Sequence, residues 1–171
     1  MTLKRASYRY RPELPRVLKE LSVDIFPSEK IGVVGRTGSG KSRLTLGLLR
    51  ILEMVKNEDG SLGSIFLDGE NISELGLHYL RHNVTIIPQD PVLFTGTIKS
   101  NVDPFNNCSD EKVAETLKKV SLWDEIVEDE EQEGLIKKKV YSKVNEAGSN
   151  FSLGQRQLIC MARALVVRLF V

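Results

Sequence analysis

The sequence has few cysteines, no long apolar run and no excess of either charge. Its two cysteines, Cys108 and Cys160, lie far apart and in no metal-binding or redox spacing, which favours a reducing compartment. No stretch approaches the roughly 18 consecutive apolar residues that a membrane span requires. The 24 basic and 23 acidic side chains give a net charge of +1. These features argue against a membrane span within this sequence and against a basic surface for nucleic acid or anionic lipid.

The composition is that of a globular protein. The most informative stretch of the sequence runs from Gly35 to Ser42 and fits G-x-x-x-x-G-K-[ST], the pattern of the loop that binds nucleotide phosphates. Its glycines allow a tight turn whose N–H groups face an anion at the start of a helix. Lys41 would reach the β- and γ-phosphates, and the Ser42 hydroxyl would face Mg²⁺. Residues 31–34 predict a buried parallel strand before the loop, and residues 44–52 predict a packed helix after it. The alternative is a flexible glycine–serine turn between two core elements.

Two other segments have both a functional and a structural interpretation. Residues 8–11 alternate tyrosine and arginine as a strand does, so one tyrosine either stacks on a nucleotide base or packs on an edge strand. Residues 84–87 predict a β-branched strand that Pro88 ends. Gln89 then lies where doubly wound sheets place ligand-binding groups, at the carboxyl ends of strands. It either holds a water or Mg²⁺ there or is a solvated loop residue.

Three patterns predict local structure. Asp68-Gly69 follows an apolar run and resembles the end of a Mg²⁺-binding strand, but it is also a strong hairpin signal, and we interpret it as a hairpin turn. A helix is predicted to begin at Ser109, with Val113 and Leu117 on its apolar face. Small residues at 148–157 precede another helix, whose N-terminus is either an anion site or an ordinary capped end.

Taken together, three motifs closely resemble the nucleotide-binding domain of ATP-binding-cassette transporters. Residues 36–42 resemble the Walker A motif of that family, and Gln89, within residues 86–98, resembles its Q-loop. Residues 152–157 resemble its signature motif, with Leu153 where many members have Gly or Val.

The subfamily and one more binding residue are indicated by the same comparison of motifs. The Q-loop block and residues 101–105 are most similar to the second nucleotide-binding domain of subfamily C, the multidrug-resistance-associated exporters. Tyr10 lies at the position of the aromatic residue that stacks on adenine in this family.

The resemblance implies that ATP and Mg²⁺ are bound. Gln89 would sense the attacking water and share the metal with Ser42, while Ser152, Gly154 and Gln155 would close over ATP held by an opposite domain. The nucleotide held by this chain itself would contact Tyr10, Gly35, Arg36, Thr37, Gly38, Ser39, Gly40, Lys41 and Ser42. The implied partners are a second nucleotide-binding domain and the transmembrane domains of the same transporter, at the cytoplasmic face of a membrane, with no nucleic acid.

The implied fold is α/β, with a P-loop-type parallel sheet core, an antiparallel β subdomain and a helical subdomain, incomplete at its C-terminus. We expect residues 1–90 to form the β subdomain and P-loop core. Residues from about 91 to 147 would form the helical subdomain, and residues 148–171 the signature loop and its helix.

The family pattern continues past the signature helix with an apolar strand ending in Asp-Glu (Walker B) and a switch histidine, which residues 166–171 do not contain. We therefore expect ATP binding with little hydrolysis by these residues alone, and marginal stability. Two alternatives remain open: a shortened cassette that holds nucleotide or a partner domain without turnover, and a soluble P-loop enzyme such as a small-molecule kinase. The signature block disfavours the kinase, which has no use for a second phosphate-capping loop.

Overall fold

A computed structural model describes residues 1–11, 13–36, 38–129 and 133–166. The chain divides between Val84 and Thr85 into two units, which are described separately. The first unit contains β1 Thr2–Tyr8, β2 Leu18–Asp24, α1 Lys41–Leu48, β3 Ser64–Leu67, β4 Glu70–Asn71 and α2 Leu77–Asn83. The second contains β5 Gly96–Thr97, α3 Ile98–Val102, α4 Asp110–Lys119, α5 Leu135–Val140, β6 Lys143–Val144 and α6 Leu153–Val166, with short 3₁₀ turns at Trp123–Glu125 and Glu146–Gly148. The predicted mixed α/β class is confirmed.

The first unit is built on a four-stranded antiparallel sheet in the order β2-β1-β3-β4. Leu3 of β1 pairs with Val23 on one side and with Ile65 on the other, which buries Leu3 and Ile65 in the core of the unit. Asp68 and Gly69 join β3 to β4 with φ values of 49° and 89°. Two consecutive residues with positive φ make the tight hairpin turn whose twist matches the strands. The hairpin interpretation is therefore confirmed.

The two parallel strands predicted from apolar runs are not formed. Residues 31–34 and 84–87 carry no strand hydrogen bonds, and every strand pair among the described residues is antiparallel. Val34 is 95% exposed and Ile87 53% exposed. An apolar run becomes a buried strand only when neighbouring strands satisfy its N–H and C=O groups, and no described strand pairs with either segment.

The second unit packs helices α3, α4, α5 and α6 around one hydrophobic core. The predicted helix at Ser109 is confirmed as α4, because the Ser109 hydroxyl accepts a hydrogen bond from the Lys112 N–H at 3.3 Å and caps it. Val113 and Leu117 are fully buried on its apolar face, as predicted. Within the described ranges no helix is both long and apolar enough to cross a membrane.

A buried asparagine holds the segment that leads into α3. The side chain of Asn101 donates to the carbonyl oxygens of Phe94 and Thr97, at 2.8 and 3.0 Å, and accepts from the Phe94 N–H at 2.8 Å. Arg163 of α6 donates to the Asn101 backbone carbonyl at 2.7 Å and to its side-chain oxygen at 3.3 Å. One amide side chain therefore ties residues 94–97 to two helices.

The buried phenol of Tyr8 should make the first unit less stable as the pH rises above about 10. Its side chain is only 1% exposed, and burial, with the nearby negative charge of Glu53, raises its pKa from 10 to about 12. Below pH 10 the phenol is protonated in both the folded and the unfolded chain. Between pH 10 and 12 only the unfolded chain ionises, so the free energy of unfolding should fall by up to roughly 2–3 kcal/mol. Urea unfolding between pH 9 and 12, followed by far-UV circular dichroism, measures this loss.

The matched variants for this prediction are Tyr8→Phe, which removes the titrating group, and Tyr79→Phe, which removes an exposed one. Tyr8→Phe should flatten the alkaline limb and Tyr79→Phe should leave it unchanged. Equal slopes in the parent protein and Tyr8→Phe would contradict the assignment.

Candidate functional site

The glycine loop lies between residues 31–34 and α1 and turns sharply at two glycines. Gly38 and Gly40 have φ values of 84° and 103°, in the left-handed region that favours glycine. Gly40 also lacks room for a side chain, because a Cβ there would lie 2.9 Å from Leu18 Cδ2 and 3.1 Å from the carbonyl oxygen of Val17. The loop is therefore seated against the start of β2. Thr37 of the predicted set lies outside the described residues.

Lys41 begins α1, and the loop curves around its ammonium group. The Nζ atom donates to the carbonyl oxygen of Gly35 and, at 3.0 Å, to that of Arg36. The N–H of Ser39 donates to the Arg36 carbonyl oxygen at 3.1 Å and closes the turn. The Lys41 side chain is exposed. One cation is thus held by the loop that the motif assigns to phosphates.

The N-terminus of α1 has the electrostatics of an anion site. Gly40 is the N-cap residue, no side chain caps the helix and its first turn contains no acidic residue. The first N–H groups of a helix have no intrahelical acceptor and carry the positive end of the helix dipole. Lys41, Arg36 and Arg43 add positive charge. These residues fit a polyphosphate.

The same helix end fits a Mg²⁺ ion held mainly by phosphate oxygens and water. The exposed Ser42 is the second residue of α1. Mg²⁺ at nucleotide sites commonly takes one or two protein ligands besides phosphate and water. Gln89, the other predicted metal ligand, belongs to the second unit, so a shared role for Ser42 and Gln89 stays a prediction.

The two tyrosines that the sequence left as alternatives have different environments. The Tyr8 ring packs so closely on α1 that a Cβ at Gly47 would lie 2.5 Å from Tyr8 Cζ. Tyr10 follows β1 and is 46% exposed. Its hydroxyl accepts a hydrogen bond from Arg43 Nε at 2.8 Å, and Arg43 Nη1 donates to the Gly38 carbonyl oxygen at 3.1 Å. Tyr8 is therefore the packing residue, and Tyr10 is linked to the glycine loop.

Arg43 is a residue that the sequence interpretation missed. It directly follows the last position of the G-x-x-x-x-G-K-[ST] motif, and a cation one residue beyond a phosphate loop is a signal that could have been noted. Its link to Tyr10, 33 residues earlier, is visible only in the tertiary structure.

In the second unit, Gln89 and the signature residue Gly154 line the same cleft. The cleft has a volume of about 490 Å³ and is lined by Ile87, Pro88, Gln89, Gly154, Gln157, Leu158 and Met161. Gln89 is exposed but does not end a parallel strand as predicted, because residues 84–87 form none. The structure instead places it opposite the N-terminal turns of α6. An amide side chain therefore faces a largely apolar groove.

The signature residues form a reciprocal cap on α6. The Ser152 N–H donates to Gln155 Oε1 at 2.9 Å, and the Gln155 N–H donates to Ser152 Oγ at 3.2 Å. Gln155 Nε2 also donates to Glu125 Oε2 at 3.0 Å. This is the arrangement of a capping box. Ser152 and Gly154 are nevertheless exposed, so this helix end is capped locally and still accessible.

The predicted site residues therefore fall into two groups. The glycine loop and Tyr10 lie together in the first unit, and Gln89 and the signature residues lie together in the second. Each group combines exposed polar side chains with a helix N-terminus.

The sequence model described as "ABC transporter" matches residues 18–169. "ABC transporter C family member 3" of Dictyostelium discoideum is 50% identical over 158 residues, which are 92% of this chain and 10% of that protein. "ATP-binding cassette sub-family C member 2" of Homo sapiens is 48% identical over 158 residues, 92% of this chain and 9% of that protein. A "Pleiotropic ABC efflux transporter of multiple drugs" of Candida glabrata is 44% identical over 173 residues, 94% of this chain and 10% of that protein. The chain thus spans about a tenth of the length of these curated relatives.

Proposed function

Because the chain belongs to the ABC transporter family and its relatives include members of sub-family C, we propose that it binds MgATP and uses it to drive transmembrane transport. The observation that carries this proposal is the glycine loop, where Lys41 and the uncapped N-terminus of α1 converge. ATP supplies a triphosphate whose binding and cleavage change how two such domains associate.

In this proposal the candidate site residues of the first unit bind different parts of MgATP. The N–H groups at the start of α1 and the Lys41 ammonium hold phosphate oxygens, which are charge-assisted contacts of the stronger kind. To do so, Lys41 exchanges its bonds to the loop carbonyls for bonds to phosphate. Ser42 contributes its hydroxyl to Mg²⁺, and the exposed Tyr10 ring stacks on the base.

The second unit supplies contacts to Mg²⁺ and to a second nucleotide. Gln89 would help to hold Mg²⁺ and the attacking water, and it would face the transmembrane domains of the transporter. Ser152, Gly154 and Gln155 close over ATP held by a second nucleotide-binding domain. The exposure of Ser152 and Gly154 supports this role. We infer that the domain works at the cytoplasmic face of a membrane as part of such a transporter.

A nucleotide titration tests the proposal directly. Binding of ATP, ADP and AMP to the 171-residue chain is measured by calorimetry with and without Mg²⁺. Each phosphate that contacts the cradle through charge-assisted bonds is worth roughly 1.5–3 kcal/mol. AMP should therefore bind at least about 100-fold more weakly than ATP. Equal affinities for ATP and AMP, or no binding of ATP, would contradict the proposal.

A further inference from the structure

We propose that Arg43 is a positioning residue that holds Tyr10 for the base of a nucleotide and couples this aromatic residue to the phosphate loop. The inference rests on the proposed function, since it assigns a role within the same nucleotide site. It adds Arg43, which lies outside the glycine-loop motif, to the nucleotide site. It also explains how recognition of the base depends on recognition of the phosphates.

Three contacts of one guanidinium carry the proposal. Arg43 Nε donates to the Tyr10 hydroxyl oxygen at 2.8 Å, and Nη1 donates to the Gly38 carbonyl oxygen at 3.1 Å. Arg43 Cζ lies 5.2 Å from the centre of the Tyr10 ring. The guanidinium thus bridges the aromatic residue after β1 and the glycine loop. Its own backbone belongs to the first turn of α1.

The bridge makes the ring orientation depend on the phosphate loop. Tyr10 follows the end of β1 and is half exposed, so packing against the core does not fix its side-chain torsions. A hydrogen bond to its hydroxyl removes that freedom before the base arrives, which lowers the entropic cost of stacking. The planar guanidinium presents several donors in a rigid fork, so it can bond the phenol and the carbonyl together.

The position of the guanidinium decides whether Arg43 supports the stacking of a base on Tyr10 or blocks it. A cation lying flat on the ring face would be roughly 3.5–4 Å from the ring centre, at van der Waals contact. The guanidinium carbon instead lies over the ring at 5.2 Å from its centre, while Nε is bonded to the hydroxyl, so the cation is not stacked flat on the centre of the ring. One guanidinium can cover only one of the two faces of a planar ring, and Tyr10 is 46% exposed, so the opposite face can stack on a base. Arg43 therefore supports stacking and does not compete with it.

The experiment compares ATP with inorganic tripolyphosphate, which has the phosphates but no base. Dissociation constants of both are measured for the parent chain, Tyr10→Phe, Arg43→Met and the double variant. Tyr10→Phe keeps the ring and removes only the hydroxyl. The ratio of the ATP constant to the tripolyphosphate constant cancels the change that loss of the Arg43 charge makes to phosphate binding.

We expect this ratio to rise by about three- to tenfold in each single variant and by no more in the double variant, because both substitutions break the same bridge. A ratio that falls in Arg43→Met would show that Arg43 competes with the base and would overturn the proposal. Unchanged ratios, or additive effects in the double variant, would overturn it as well.

Lys41→Ala separates failure of this inference from failure of the proposed function. If Lys41→Ala loses both ligands while the ratio is the same in the bridge variants, only the role of Arg43 is wrong. If Lys41→Ala binds both ligands as the parent does, the nucleotide site itself is wrong. Thermal unfolding midpoints of all variants confirm that each is folded, as expected for substitutions at exposed or half-exposed positions.

Discussion

Replacing Lys41 with alanine is expected to weaken ATP binding by at least about 100-fold. The ammonium group lies over the glycine loop, held by the carbonyl oxygens of Gly35 and Arg36. In the proposed complex it bonds the β- and γ-phosphates, and charge-assisted bonds are worth roughly 1.5–3 kcal/mol each. Loss of two such bonds corresponds to a factor of about 100 or more. Calorimetric titration of both chains with MgATP measures the difference.

The stability of the chain should hardly change in Lys41→Ala. Lys41 is exposed, and substitutions at such positions usually shift the free energy of unfolding by less than about 0.5 kcal/mol. The exposed Lys56 of the same unit provides a matched control, because Lys56→Ala removes one positive charge from a residue outside the glycine loop. ATP affinity in Lys56→Ala should stay within about twofold of the parent. Equal affinities in the parent and Lys41→Ala would refute the phosphate-cradle assignment.

The largest loss of stability is expected from Asn101→Ala. The Asn101 side chain is buried and makes hydrogen bonds to the backbone of Phe94 and Thr97 and to Arg163. Alanine would leave the Phe94 N–H and two carbonyl oxygens without this partner, and each buried polar group left unpaired costs roughly 1–3 kcal/mol. Because part of this segment can be rehydrated, the net loss in the free energy of unfolding should be about 3 kcal/mol.

Trp123 is the single tryptophan and lies buried in the second unit, so its fluorescence reports unfolding of that unit in urea. The exposed Asn107 offers a control nearby in the sequence, and Asn107→Ala should change the free energy of unfolding by less than about 0.5 kcal/mol. A loss below about 1 kcal/mol in Asn101→Ala would mean that residues 94–97 keep their conformation without the amide.

Local chemistry made several elements predictable. Asp68-Gly69 specifies a two-residue turn, because both positions need positive φ values, and the hairpin follows wherever the flanking strands pair. Ser109 followed by two acidic residues specifies a helix start, since a hydroxyl cap and negative charge both satisfy the first turn. The glycine loop belongs to the same class: it indicated that a helix follows the motif, predicted over residues 44–52, and the observed helix α1 is shifted three to four residues earlier, to Lys41–Leu48.

Apolar runs were less informative than these short motifs. Residues 31–34 and 84–87 have the composition of buried parallel strands, yet neither pairs with a described strand. The reason is that a strand is stabilised by its neighbours, and hydrophobicity does not state which neighbours are present. The same limit explains why Gln89 was expected at the end of a strand and is found beside α6.

From the order of residues alone one obtains the family, the phosphate loop and the identity of the side chains proposed to act there, because each depends on neighbours within a few positions along the chain. The three-dimensional arrangement alone shows that Tyr8 is the packing tyrosine, that Arg43 joins Tyr10 to Gly38 and that Gln89 shares a cleft with Gly154. These contacts join residues far apart in sequence. They depend on how strands and helices pack, which no local pattern encodes.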